Sequence, residues 1–245
     1  MNEQIKQSWL LRKRKRLRFL SRFRTFILRN AYLLGDRIAN FTISLGYLVK
    51  NSAFFKQAKT ETNSSRIEYY ERIARDHNLR SEEITYLEFG VYQGDSFAYW
   101  LAENQNQDSR FFGFDTFSGL PEDWGHIPKG HFDTKGLIPS FDDNRYSFSK
   151  GLFQETIPSF LTENLQIRDR RLLINFDADL YSSTLYALVK IADFLKPGDI
   201  LLFDELFSIV NASTEFRAFI DFLSICDINV EVVAKTTTHC ALKVT

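Results

Sequence analysis

Acidic residues and glycines stand where the apolar runs of this 245-residue chain stop. Glu88 closes one such run and is followed by Phe89, then Gly90-Val91-Tyr92-Gln93-Gly94-Asp95-Ser96. Asp115 and Thr116 follow Arg110–Phe114, Asp177-Ala178-Asp179 follow Leu172–Phe176, and Asp204-Glu205 follow Ile200–Phe203. The two glycines permit a tight turn and close approach of a ligand to the backbone, and a helix after them offers free N–H groups. This is not the three-glycine G-x-G-x-x-G dinucleotide pattern. Asp115, roughly twenty residues beyond the turn, is placed to accept hydrogen bonds from a ribose diol; the competing reading is a loop or cap Asp. Asp177, Asp179, Asp204 and Glu205 are costly to bring together without a cation between them. Such hard oxygen donors suit magnesium, calcium or manganese rather than zinc. The plainer alternative makes Asp179 a helix cap and leaves Glu205 in solvent.

These residues need a frame. Strand-like and helix-like runs alternate: strands at Ile84–Phe89, Arg110–Asp115, Tyr146–Ser149, Leu172–Phe176 and Ile200–Phe203, helices at Ser96–Glu103, Thr156–Glu163, Ser182–Leu195 and Thr214–Ile225. A helix over Ser64–Asn78 precedes them, and Val230–Ala234 with Cys240–Val244 predict a closing hairpin. Alternation of this kind predicts a largely parallel sheet covered by helices, with ligands at the carboxyl ends of the strands. The segment from Thr116 to Asn144 is too long for a passive connector and reads as a lid. It carries Trp124, His126, Lys129, His131 and Lys135; a neutral His126 or His131 could take a proton from a hydroxyl.

Charge divides the chain. Residues 1–60 hold 14 Lys/Arg against two Asp/Glu, a net of +12, and residues 61–245 hold 17 against 29, a net of −12. The boundary defines a basic arm, 1–60, and an acidic body, 61–245. In the arm Leu17, Leu20, Phe23, Ile27, Ala31, Leu34, Ile38, Phe41, Leu45 and Leu48 recur at helical steps, with Arg18, Arg22 and Arg29 off the stripe. A basic amphipathic helix can lie on an anionic membrane surface, or pack on its own body or a second subunit; no nucleic-acid motif accompanies its arginines. No run reaches the length of a membrane-spanning helix, and no signal-peptide pattern follows the basic block. Cys226 and Cys240 are too few for a disulfide framework or a Cys-rich zinc site. A reducing, cytoplasmic setting, with peripheral membrane contact left open, is the expectation.

The motifs also resemble a known family. Tyr86–Gly94, Phe112–Trp124, Lys150–Pro158, Asp177–Thr184 and Phe203–Glu205, in that order, are similar to the macrocin O-methyltransferases. These are class I S-adenosylmethionine-dependent enzymes that methylate sugar hydroxyls. The resemblance spans residues 64–245 and leaves the arm outside. It implies a Rossmann-like class I methyltransferase sheet, mostly parallel with a C-terminal antiparallel hairpin. It also implies cofactor contacts at Glu88, Gly90, Val91, Gly94, Ser96, Asp115, Thr116, Gly151 and Phe153. A divalent metal, usually magnesium, would sit on Asp177, Asp204 and Glu205, the last standing where the family commonly has Asp. The implied activity is metal-assisted methyl transfer to a hydroxyl of a sugar-like or other small-molecule acceptor, with Asp177, His126 or His131 taking the proton.

Two rivals stay open: a metal-independent methyltransferase acting on another nucleophile, and a non-catalytic cofactor- or RNA-binding module working through the arm. On this reading Asp115→Ala weakens cofactor binding with the fold intact, and Asp204→Asn spares cofactor binding and abolishes metal-dependent transfer.

Overall fold

The computed structural model describes residues 65–125, 127–206 and 214–245, together with scattered positions between 22 and 46. The chain divides into two units, residues 1–45 and 46–245. In the first, the described stripe positions Ile27, Leu34, Ile38, Phe41 and Leu45 are helical and exposed; Leu17, Leu20, Phe23 and Leu48 lie outside the described residues. No helix among the described residues is long and apolar enough to cross a membrane.

The second unit carries a seven-stranded sheet. In chain order the elements are α1 (Arg66–Asp76), β1 (Ile84–Phe89), α2 (Asp95–Glu103), β2 (Arg110–Asp115), β3 (Tyr146–Lys150), α3 (Phe153–Glu163), β4 (Arg171–Phe176), α4 (Tyr181–Ile191), β5 (Ile200–Phe203), α5 (Glu215–Ile225), β6 (Val230–Lys235) and β7 (Cys240–Val244). The strand order is β3-β2-β1-β4-β5-β7-β6. The first five strands are parallel, and β7 runs antiparallel between β5 and β6. The expected α/β sheet with its terminal hairpin is therefore present. Buried Val, Ile, Leu and aromatic side chains fill both faces, as a sheet covered on both sides requires. The switch point falls between β1 and β4, where strand order reverses.

One row of side chains sets the geometry of the carboxyl edge. Phe114, Phe89, Phe176 and Phe203 are register partners across β2, β1, β4 and β5. Their rings stack in series at centroid distances of 5.1, 5.4 and 4.9 Å. Each is buried, and the row marks the carboxyl ends of these four strands. The next backbone bonds continue the ladder by one step: Gly90 N–H donates to Phe114 O (2.9 Å), Asp177 N–H to Phe89 O (2.9 Å) and Asp204 N–H to Phe176 O (3.3 Å). The residue after each phenylalanine is thus delivered to the same edge: Asp115, Gly90, Asp177 and Asp204.

Candidate active site

These strand ends open into a cleft of about 640 Å³, within the range of small-molecule sites. Its floor begins with the glycine turn. Gly90 has φ +95°, and a Cβ there would stand 1.9 Å from the Asp177 carbonyl oxygen, so no larger side chain fits between the ends of β1 and β4. Gly94, at φ +85°, is the left-handed residue that opens α2. Asp115 ties the turn to β2: Oδ2 accepts the N–H groups of Val91 (2.8 Å) and Tyr92 (2.9 Å), and Oδ1 accepts that of Phe117 (2.6 Å).

Below the turn, Glu88 is buried, accepting from Tyr86 Oη (2.9 Å) and Asn175 Nδ2 (3.1 Å). Burial pushes its carboxyl up to about 8 despite those two donors. Burial also raises Asp177 well above the usual carboxylate range, and the neighbouring Asp204 adds to this. Asp179, at φ +59°, is raised to about 7 by burial and by the charge of Glu205. Glu215 is pushed well up by burial; its Oε2 accepts Glu205 N–H at 3.0 Å, while Oε1 has no partner among the described residues. Asp204 behaves oppositely. Burial works to raise it, but the hydrogen bond from His239 and the guanidinium of Arg66 outweigh that and hold it below its ordinary value.

Arg66 is the one basic side chain among the described residues lining the cleft. Its Nη2 donates to Asp204 Oδ1 at 2.5 Å, and its Nη1 lies 3.7 Å from Asp177 Oδ2. Nη1 also donates to Ser96 Oγ (3.3 Å), which takes Tyr70 Oη at 3.3 Å. His239 Nε2 lies 2.8 Å from Asp204 Oδ1, and its Nδ1 is held by Thr236 Oγ1 and Thr238 Oγ1 at 3.0 and 3.1 Å.

Of the residues expected from sequence, Glu88, Gly90, Val91, Gly94, Ser96, Asp115, Thr116 and Phe153 line this cleft with Asp177, Asp204 and Glu205. Gly151 does not; its N–H donates to the Asp115 carbonyl at 3.0 Å and so shapes the wall from behind. His126 lies outside the described residues. His131 is exposed, with its ring against Phe132 at 4.4 Å, and is not part of the lining. The lid supplies Leu120, Glu122, Trp124 and Phe132 to the lining instead, and Ser182 Oγ donates to Glu122 Oε1 at 2.5 Å across the cleft. Asp177, Asp204 and Glu205 share the cleft lining, and among the described residues no three His, Cys, Asp or Glu side chains form a group that could hold an ion. The position between Asp177 and Asp204 belongs to Arg66.

A glycine turn after β1, an acid after β2 and a cleft at the switch point of a seven-stranded sheet with an antiparallel β7 are the features of the class I methyltransferase fold. Solved structures agree on the fold. The chain superimposes on CalS11, a calicheamicin methyltransferase, with TM-score 0.55 at 24% identity, over 72% of this chain and 76% of that one. A second structure, titled the apo form of CalS11, TDP-rhamnose 3'-O-methyltransferase, gives 0.52 at 24% over 72% and 77%. The O-methyltransferase NovP gives 0.51 at 18% over 72% and 76%. No curated protein matches the chain.

The family model of macrocin-O-methyltransferase (TylF) matches residues 129–233. That stretch holds α3, the Asp177–Thr184 segment and Asp204-Glu205, so over those motifs the chain is similar to the macrocin O-methyltransferases, as their resemblance implies.

Proposed function

We propose that the chain transfers a methyl group from S-adenosylmethionine to a hydroxyl of a sugar-like small molecule. The observation that carries this is the phenylalanine row, which brings Gly90, Asp115, Asp177 and Asp204 to one cleft. S-adenosylmethionine, when bound, supplies a methyl group on a cationic sulfonium. Glu88, Gly90, Val91, Gly94, Ser96, Asp115, Thr116 and Phe153 would hold it, with Gly151 behind them. The surplus of carboxylates in the lining favours a cation there. Asp115 keeps one lone pair, on Oδ1, for a ribose hydroxyl, since each carboxylate oxygen has two and backbone N–H groups take the other three.

The acceptor lies under the lid, between Trp124 and Phe132 on one side and the Asp177–Asp179 strand end on the other. Its hydroxyl proton passes to Asp179. Asp177 is tied to Arg66 and Asp204, whereas Arg66 acts on Asp179 through its charge and less than burial, Glu205 and Asp204 do. A sugar hydroxyl is supported by the similarity to CalS11, a TDP-rhamnose 3'-O-methyltransferase. Residues 1–60 act as a separate arm, meeting an anionic membrane face or a second subunit through the exposed stripe at Ile27–Leu45. Sedimentation of the full chain with phosphatidylserine and with phosphatidylcholine vesicles separates the two.

Calorimetry with S-adenosylhomocysteine tests the reading: micromolar binding is expected. An absence of binding, together with no transfer of labelled methyl to any sugar nucleotide, would remove it.

A further inference from the structure

The carboxylates of Asp177 and Asp204 come from the ends of two neighbouring strands and repel one another. A group that holds them must be cationic and reach both. Arg66 does so: one terminal nitrogen bonds Asp204 at 2.5 Å, and the other stands 3.7 Å from Asp177. Its side chain is 40% exposed, but its place is set by the helix it begins. Arg66 is the first residue of α1, whose start is fixed by a capping box: Ser65 Oγ accepts Glu68 N–H (3.2 Å) and Glu68 Oε2 accepts Ser65 N–H (2.8 Å). Ser96, anchored by Tyr70, fixes the guanidinium from a second side. His239 completes the shell on Asp204 at 2.8 Å. Glu205 does not join this group; its charge bears on Asp179.

We propose that Arg66 is the resident cation of the Asp177–Asp204 pair and keeps a divalent ion out of the place between them. A planar guanidinium presents several donors in a fixed fork and is always charged, so it bridges the Asp177 and Asp204 side chains without a metal. The inference departs from the metal expected by resemblance and rests on the methyltransferase reading only for what the cleft is used for.

The test is a titration with Mn²⁺ alone, followed by loss of the free-ion paramagnetic resonance signal, on the full chain and on Arg66→Gln, Arg66→Lys and Arg66→Gln/Asp204→Asn. The wild type is expected to bind Mn²⁺ no more tightly than about millimolar. Arg66→Gln should bind at least tenfold more tightly, Arg66→Lys should stay near wild type, and the double variant should lose the gain. Thermal unfolding of each variant reports whether it is folded, and Arg66→Lys keeps the comparison usable if Arg66→Gln is not. Wild-type binding in the micromolar range, or no gain in Arg66→Gln, overturns the proposal. S-adenosylhomocysteine binding by the wild type in the same samples tests the methyltransferase reading separately.

Discussion

Asp115 Oδ2 accepts the backbone N–H of Val91 at 2.8 Å, so the acid after β2 is also the clasp that holds the glycine turn after β1. Tyr92 N–H shares the same oxygen, and Phe117 N–H takes the other. Charge-assisted bonds to backbone donors of this kind are stronger than neutral ones.

Asp115→Ala therefore does more than remove the proposed ribose contact. Three N–H groups lose their acceptor, and the turn and the start of the lid loosen together. The expected cost is about 1–3 kcal/mol of stability, because the donors are only partly buried and water replaces some of the loss. Affinity for S-adenosylhomocysteine should fall by about tenfold or more. Chemical denaturation beside calorimetry measures both effects.

Gly90→Ala is the sharpest steric probe. Its Cβ would meet backbone, the Asp177 carbonyl at 1.9 Å, at a φ of +95°. Backbone cannot swing aside as a side chain can, so β1 and β4 would have to part at the switch point. A loss of about 2–4 kcal/mol is expected from overpacking and strain combined, with cofactor binding abolished. A variant of wild-type stability and affinity would show that the strand ends do not approach as described.

Glu88 makes stability depend on pH. Its folded carboxyl is raised from 4.5 to about 8 by burial, so the folded chain binds more protons than the unfolded chain between those values. The sign follows: the protonated form is favoured by folding, and stability falls as pH rises through this window. From pH 6 to pH 9 the loss is on the order of 2 kcal/mol. In Glu88→Gln the amide can still accept from Asn175 and donate to Tyr86 Oη, and the slope should flatten. Denaturation curves at several pH values compare the two proteins; equal slopes would remove Glu88 as the cause.

Much of this frame is legible in the sequence because apolar runs flanked by turn residues leave little freedom. The bounds of β1, β2 and β5 fall where the runs begin and end. Helix α3 begins at Phe153, three residues before the expected Thr156, because Leu152 is its N-cap and Glu155 accepts the Leu152 N–H; without Ser, Thr, Asp or Asn at the cap, the usual start signal is missing. Helix α4 ends at Ile191 and tightens into a 3₁₀ turn over Ala192–Phe194 before Lys196-Pro197-Gly198. Arg66 and His239 were not legible as site residues. They stand 173 positions apart and meet at Asp204 only through topology: β7 is antiparallel to β5 with Cys240 opposite Phe203, which sets His239 beside Asp204. No local pattern announces such a pairing.

Arg145 holds the far end of the lid. It is buried, and it donates to the carbonyls of Leu101 (2.6 Å), Asn104 (2.7 Å) and Asn106 (3.0 Å) while Asp143 takes its Nη2 at 2.7 Å. Asp143 is partly exposed, so the loss falls on the buried carbonyls left without a donor, about 1–3 kcal/mol. Arg145→Met should cost that much, and Arg145→Lys nearly as much, because an ammonium cannot reach three carbonyls and a carboxylate at once. Denaturant midpoints measure the loss.

Asp179 and Asp177 stand two residues apart, yet they should respond differently to the same change. Asp177 faces Arg66 and Asp204, so Asp177→Asn alters the charge balance of the floor. Asp179 lines the cleft with Arg66 acting on it only weakly beside Glu205 and Asp204. A carboxylate that accepts a proton in the transition state contributes about 10²–10⁴ in rate. Asp179→Asn should therefore lower turnover by that range while leaving S-adenosylhomocysteine affinity within about threefold, since the amide keeps the shape of the acid and loses only its basicity. Single-turnover transfer of labelled methyl to an acceptor sugar separates the chemical step from binding. If Asp177→Asn shows the larger loss and Asp179→Asn turns over normally, the proton goes to Asp177, and the guanidinium contact does not take that carboxylate out of the chemistry.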